Sequence, residues 1–184
     1  MSRPRREWLG GGIYHVFTRG SNRQAIFLFD SDRADLLDCL SRVVERHALE
    51  CLAFGLMPNH CHYLLRTPDE RLSHAMRELN GRYALRFNRR NGRSAHLFRN
   101  RFGAVLQESS AQLLWTARYI VMNPVTADLC SHPEEWPWTS YRATAQLEPA
   151  PPFLSVDALL SYFGDTSQRA VDRYTRFVLR GVGV

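Results

Sequence analysis

The chain has 184 residues, 45% of them hydrophobic and 23% charged, and carries a net charge of +6. That length suits one domain with a buried core and room for a short appendage, and no apolar stretch approaches the roughly 20 residues that a membrane-spanning helix needs. The four cysteines (39, 51, 61 and 130) form no CxxC pair, which argues against a zinc ribbon or a disulfide framework and for free thiols in a reducing cytoplasm.

The basic start, Met1 to Arg6, runs into Glu7, Trp8 and three glycines rather than an apolar core, so no signal peptide is expected and the chain reads as cytoplasmic. Residues 12–18 (GIYHVFT), rich in β-branched and aromatic side chains and bounded by glycines, form the first expected strand. Asp30 or Ser31 can cap a helix to about His47, with Leu36, Leu37, Leu40, Val43 and Val44 at helical spacing. Residues 49–57 and 60–66 read as two more strands, joined by the turn signal Pro58-Asn59 and paired antiparallel.

From 72 to 87, Leu72, Met76, Leu79, Tyr83 and Phe87 make one helical stripe, with Arg82, Arg86, Arg89 and Arg90 largely off it. Residues 102–107 read as a fourth strand. Ser109 or Ser110 can cap a further helix that Pro124 stops at Asn123. Trp136, Trp138 and Tyr141 look like aromatic anchors of an irregular return across the domain. Pro149 to Pro152 marks a linker or sharp turn, and 155–163 and 167–179 read as short helices.

The order strand, helix, strand, strand, helix, strand, helix is the split βαβ pattern of an α+β, ferredoxin-like antiparallel sheet. Two helices share one face, the last helix can cover the other, and a short helical tail follows. Domain limits are set at 1–148 and 149–184.

All 24 basic residues are arginines, an excess that a GC-rich genome would also produce. Their distribution carries more meaning. Nine of them, from Arg71 to Arg101, face a single acid, Glu78. Such a run is commonly a solvated face, but guanidinium forks suit phosphate oxygens, and a one-sided stripe is the footprint of a nucleic-acid binder.

Asn59-His60-Cys61-His62-Tyr63-Leu64 carries the chemistry. On a strand, His60 and His62 share a face and can grip one metal ion, although each could equally be a hydrogen-bonded core residue. A second constellation, Arg118-Tyr119-Ile120-Val121-Met122-Asn123-Pro124, places Tyr119 and Asn123 one helical turn apart on one face. Asn123 offers a carbonyl oxygen at a helix end whose dipole favours a cation.

Tyr14-His15-Val16 with Thr18-Arg19-Gly20, Met57-Pro58-Asn59-His60-Cys61-His62, Leu97-Phe98-Arg99 with Arg101-Phe102, and Arg118-Tyr119-Ile120 with Asn123-Pro124-Val125 follow one another in order. In this the chain resembles the REP-associated tyrosine transposases, members of the HUH class of single-tyrosine transposases and relaxase-like nickases. The resemblance spans about Gly11 to Tyr141. It implies that residues 1–148 are the catalytic domain, with Tyr119 as nucleophile and His60, His62 and Asn123 as ligands of a divalent metal, Mg²⁺ or Mn²⁺. Cys61 stands where the class has a bulky hydrophobe; a buried thiol behaves as a small one.

The implied reaction is cleavage and rejoining of single-stranded DNA beside palindromic hairpins, the repetitive extragenic palindromes, through a 5′-phosphotyrosine, in a bacterial, nucleoid-associated protein that is a homodimer or a monomer. Arg19, Arg23, Arg82, Arg86, Arg89, Arg90, Arg93, Arg99 and Arg101 are the phosphate contacts expected. His15 is a candidate to take the tyrosine proton, or a structural residue. Rival readings are a non-catalytic RNA-binding sheet, a hydrolase using metal-bound water, and a domesticated transposase that nicks without mobilising itself.

Overall fold

A computed structural model describes residues 8–165 and 168–180. The basic start before Trp8 and the expected helix start at Ser167 lie outside them. Four strands, β1 (Ile13–Arg19), β2 (Glu50–Met57), β3 (His60–Arg66) and β4 (Gly103–Leu106), form one sheet in the order β2-β3-β1-β4 with every pair antiparallel. The crossovers are α1 (Asp30–Arg46), between β1 and β2, and α2 (Leu72–Arg90), between β3 and β4. This is the ferredoxin-like split βαβ arrangement that the element order implied.

Period-two alternation gives the sheet two apolar faces. Tyr14 and Val16 of β1, Phe54 and Leu56 of β2, and Cys61, Tyr63 and Leu65 of β3 pack with α1 and α2. On the opposite face, Leu52, Ala53 and Leu64 pack with α3 (Ser110–Thr126), and the short helix α4 (Tyr141–Thr144) is followed by α5 (Val156–Leu160) and α6 (Gln168–Leu179), which bury Leu159, Leu160, Val171, Tyr174 and Val178 in the same cluster. Residues after Pro149 thus enter both cores, Phe153 and Leu154 the first and α5 and α6 the second. The outer edge of β2 is closed by the aromatic return: Leu56 donates to the Trp138 carbonyl at 2.8 Å, Ser140 to that of Phe54 at 3.0 Å, and the Trp136 indole to that of Leu56 at 3.1 Å. Covering that edge removes a row of open backbone groups.

Two helix ends differ from the sequence expectation. At α1 the cap is neither Asp30 nor Ser31: the buried Asp32 carboxylate reaches back to accept from the amides of Leu28 (2.8 Å) and Phe29 (3.0 Å). At α3, Ser109 does cap the start, accepting from the Gln112 amide at 3.2 Å, but the helix runs through Pro124 to Thr126. A proline in the last turn removes a single helical bond, and the amides of Ala127 and Leu129 still close on the carbonyls of Asn123 and Pro124 at 3.0 Å. Asn123 therefore sits one turn inside the helix.

The carbonyl that Pro124 leaves without its helical donor is that of Ile120, and it rests on Gly55 of β2. A side-chain carbon at Gly55 would lie 2.8 Å from that oxygen, so glycine is what lets α3 approach the sheet this closely. Cys39, Cys51 and Cys61 are buried free thiols and Cys130 is a half-buried one; burial pushes Cys51 and Cys61 up to about 12, so both act as apolar packing. Among the described residues no helix is long and apolar enough to cross a membrane.

Candidate active site

The face of the sheet under α3 collects His15, Phe17 and Arg19 from β1 and His60 and His62 from β3, each set spaced by two residues. Register completes the cluster: Phe17 lies opposite His62 and Arg19 opposite His60. Gly103 of β4 leaves room for the Phe17 ring, whose Cζ would stand 2.1 Å from a side-chain carbon at that position. Together with Thr18, Arg99, Asn100, Arg101 and Tyr119 these residues line an open cleft of about 400 Å³.

The two histidine rings are 4.9 Å apart at their centroids and nearly perpendicular. His62 is 6% exposed. Burial pushes its imidazole down to about 3, with the charges of His60, His15 and Arg19 adding to the effect. Burial and Arg19 also lower His60, opposed by a side-chain hydrogen bond with Asn123, and burial lowers His15. All three imidazoles are neutral at pH 7, the state in which histidine binds metal.

Hydrogen bonds orient the ring nitrogens. His60 Nδ1 lies 2.7 Å from Asn59 Oδ1, while Asn59 Nδ2 donates to the Arg23 carbonyl at 3.1 Å. The second bond fixes the amide, so Oδ1 accepts, His60 Nδ1 donates, and the lone pair of neutral His60 falls on Nε2. His62 Nδ1 lies 2.9 Å from His15 Nε2, and His62 Nε2 is buried with no hydrogen-bond partner. A buried orphan nitrogen of this kind calls for an occupant. Among the described residues no group of three or more His, Cys, Asp and Glu side chains is placed to hold a metal, and Asn123 stands beside His60, joined to it by a side-chain hydrogen bond.

Tyr119 stands edge-on over the pair, its ring 5.3 Å from His62 and 5.9 Å from His15. It is 49% exposed, whereas Tyr14, Tyr63, Tyr83, Tyr141 and Tyr174 are at most 4% exposed. Tyr162 lies away from the cleft, against Arg66. The Tyr119 hydroxyl makes no hydrogen bond to a described residue, which leaves it open to a ligand.

The arginines divide. Arg19, Arg99 and Arg101 line the cleft, and none has a carboxylate partner among the described residues. Arg82 is paired with Glu78 at 2.9 Å, Arg86 with Asp38 at 2.7 Å, and Arg90 with Asp32 at 2.9 Å and with Asp35. These pairs stitch α2 to itself and to α1 on the far face of the sheet. Arg93 donates to Gln24 Oε1 at 2.6 Å and sits over the Phe87 ring, Arg89 is exposed, and Arg23 is held in the turn beside Asn59. The structure thus brings three of the nine expected phosphate contacts to the histidines. Phe17, Thr18 and Asn100 join them unforeseen; Phe17 was readable from its two-residue spacing to His15 and Arg19.

The sequence that builds this sheet, with paired helices on one face and the tyrosine helix on the other, matches the model of the family Transposase IS200 like (Y1_Tnp) over residues 11–123. The match covers more than half of the chain, and the chain belongs to that family. It is accordingly a protein of the transposase class, whose members cleave DNA.

Among curated proteins it is similar to one of Haemophilus influenzae that carries the name REP-associated tyrosine transposase, 24% identical over 159 residues that cover 80% of this chain and 90% of that protein. Among solved structures it matches a REP-associated tyrosine transposase bound to a REP hairpin, with a TM-score of 0.69 and 21% identity over 84% of this chain and 92% of that one. That likeness is one of fold. A Deinococcus radiodurans R1 protein named as a transposase aligns more loosely, with a TM-score of 0.46 over 60% of this chain.

Proposed function

We propose that the chain is a metal-dependent single-strand DNA endonuclease and strand transferase that acts beside hairpin DNA through a 5′-phosphotyrosine at Tyr119. The observation that carries this reading is the exposed Tyr119 ring 5.3 Å from the buried His62, whose Nε2 has no partner. The hairpin substrate is taken from the similar protein solved with a REP hairpin.

His60 Nε2, His62 Nε2 and the Asn123 carboxamide fit a divalent cation, Mn²⁺ or Mg²⁺, and would hold it. When bound, the cation supplies polarisation of a phosphoryl oxygen and offsets the charge that builds there. His15 and Asn59 aim the ligands: each accepts the Nδ1 proton of its histidine, which directs the free lone pair inward.

Arg19, Arg99 and Arg101 hold the strand by its phosphates and set the scissile one in line with the Tyr119 oxygen. The Tyr119 oxygen then bonds to phosphorus, the bond to the 3′ oxygen breaks, and that oxygen leaves as a free hydroxyl. Because the protein–DNA link is itself a phosphodiester, a 3′-hydroxyl can attack it and rejoin strands without a nucleotide cofactor.

The test is incubation of the protein with a labelled single-stranded hairpin and Mn²⁺, read as an adduct that survives denaturing electrophoresis. The adduct is expected with wild type and lost with Tyr119→Phe or chelator. Cleavage that persists in Tyr119→Phe would instead point to hydrolysis by metal-bound water, and hairpin binding without cleavage under any metal to a non-catalytic binding protein.

A further inference from the structure

With its hydroxyl unbonded among the described residues, Tyr119 is placed over His62 by its neighbours in α3. On one side Ile120 rests on Gly55 of β2, which sets how close the helix comes to the sheet. On the other side Arg118 reaches the end of α6. Its Nε donates to the carbonyls of Phe177 at 3.2 Å and Val178 at 3.0 Å, and its Nη2 to that of Arg180 at 2.6 Å. The last carbonyls of a helix have no partner within it, and a cation suits the negative end of its dipole, so one guanidinium of α3 caps α6 from outside.

Aromatic rings close the same joint. The Arg118 guanidinium lies over the Trp115 ring, 5.8 Å from its centroid, and Trp115 meets Phe177 edge-on at 5.3 Å. Phe177 in turn contacts Phe163 at 5.7 Å, and Phe163 packs on the buried Tyr174 at 5.6 Å. Residues three and four apart neighbour one another on a helix, so Trp115 stands beside both Arg118 and Tyr119. The end of α6 is thereby fastened to the turn that carries the tyrosine. Trp115 stays 56% exposed, so this joint lies at the surface and is held by hydrogen bonds and ring contacts rather than by depth.

The family match ends at residue 123, which leaves α6 beyond the residues it covers. Resting on the reading of Tyr119 as the nucleophile, we infer that Arg118 is a positioning residue and α6 the brace it is tied to. Together they fix the roll of α3 about its own axis, as Gly55 fixes its height. Side chains of an α-helix end about 6 Å from its axis, so a roll of about 10° would carry the phenol about 1 Å across the cleft. A misplacement of that size costs on the order of a hundredfold in rate.

The test sets rate against affinity in the full chain. Arg118→Ala, Arg118→Lys and Phe177→Ala are compared with wild type in single-turnover adduct formation at saturating hairpin and Mn²⁺, with hairpin binding in chelator and the thermal midpoint measured alongside. Arg118→Ala should slow the adduct step about ten- to a hundredfold and leave affinity within about twofold. Arg118→Lys keeps the charge but cannot span three carbonyls, and its rate should fall between the two. Phe177→Ala opens the same joint without touching α3 and should slow the step as well; it carries the comparison if Arg118→Ala does not fold. The double variant should be no slower than the slower single one, because both changes break one joint.

A folded Arg118→Ala protein that forms adduct at the full rate would overturn the inference and leave Arg118 a stability residue. Weaker hairpin binding with an unchanged rate at saturation would overturn it in favour of a phosphate contact. Losses that multiply in the double variant would overturn the shared joint. A wild type that forms no adduct, or an adduct that survives Tyr119→Phe, would overturn the nucleophile reading and the brace with it.

Discussion

Gly55→Ala places a methyl group between the sheet and α3, directly under the catalytic arrangement. Gly55 is the cross-strand partner of His62, and the new carbon would lie 2.8 Å from the Ile120 carbonyl oxygen and 3.2 Å from Ile120 Cγ2. The first obstacle is backbone, so the helix must rise by roughly half an ångström for ordinary contact to return. Overpacking of this kind costs about 1–3 kcal/mol. Tyr119 precedes Ile120 in the chain, so the same displacement enters the gap between the tyrosine and His62.

A misplacement of about 1 Å costs on the order of a hundredfold in rate, and half of that makes a tenfold loss the expected size. The assay is single-turnover adduct formation at saturating hairpin and Mn²⁺, with urea unfolding and hairpin binding measured alongside. The rate should fall about tenfold while affinity stays within twofold, because Arg19, Arg99 and Arg101 are untouched. A folded Gly55→Ala protein that forms adduct at the full rate would refute the claim that α3's close seat on β2 positions Tyr119.

His15→Ala should lower Mn²⁺ affinity about 10- to 100-fold, the usual cost of losing a group that orients a ligand, with hairpin binding in chelator unchanged and partial recovery in His15→Gln; a Mn²⁺ titration followed by electron paramagnetic resonance decides it. Arg90→Ala should lower the urea midpoint by leaving the buried Asp32 carboxylate without its guanidinium, yet leave the salt dependence of hairpin binding alone, whereas Arg99→Ala or Arg101→Ala should reduce the slope of log affinity against log salt by about 1 each and leave the midpoint alone. In the metal-free protein, the unfolded His62 takes a proton near pH 6.5 while the folded one stays neutral to about pH 3. Between those values the unfolded chain binds the extra proton, so stability falls as pH drops, by up to about 1.4 kcal/mol per pH unit from this residue; urea unfolding from pH 7 to pH 4, compared with His62→Gln, measures the difference.

The sheet was legible in the sequence because its strands are rich in apolar, β-branched and aromatic residues and its turns are marked: β3 falls at His60–Arg66 as read, β2 differs by a residue at one end, and β1 and β4 differ by a residue at each end. The two-residue period of a strand put His60 and His62 on one face, and helical spacing put Tyr119 beside Asn123. What the sequence hid depends on neighbours distant along the chain. Charge density alone cannot separate Arg82, Arg86 and Arg90, neutralised by acids of α1 and of α2 itself, from Arg99 and Arg101 in the cleft, since partners such as Asp32 and Asp38 lie about fifty residues away. Likewise Pro124 reads as a stop by local rules, but the carbonyl it frees finds its place against Gly55, and nothing near Pro124 announces that.

Tyr119 is proposed as the residue that becomes joined to DNA. Its most direct test is to trap the wild-type protein on a hairpin in Mn²⁺, digest protein and DNA, and locate the nucleotide-bearing peptide by mass spectrometry. The expected result is a 5′-phosphate carried on the peptide that contains Tyr119. A nucleotide on any other residue, or a link through a 3′-phosphate, would contradict it.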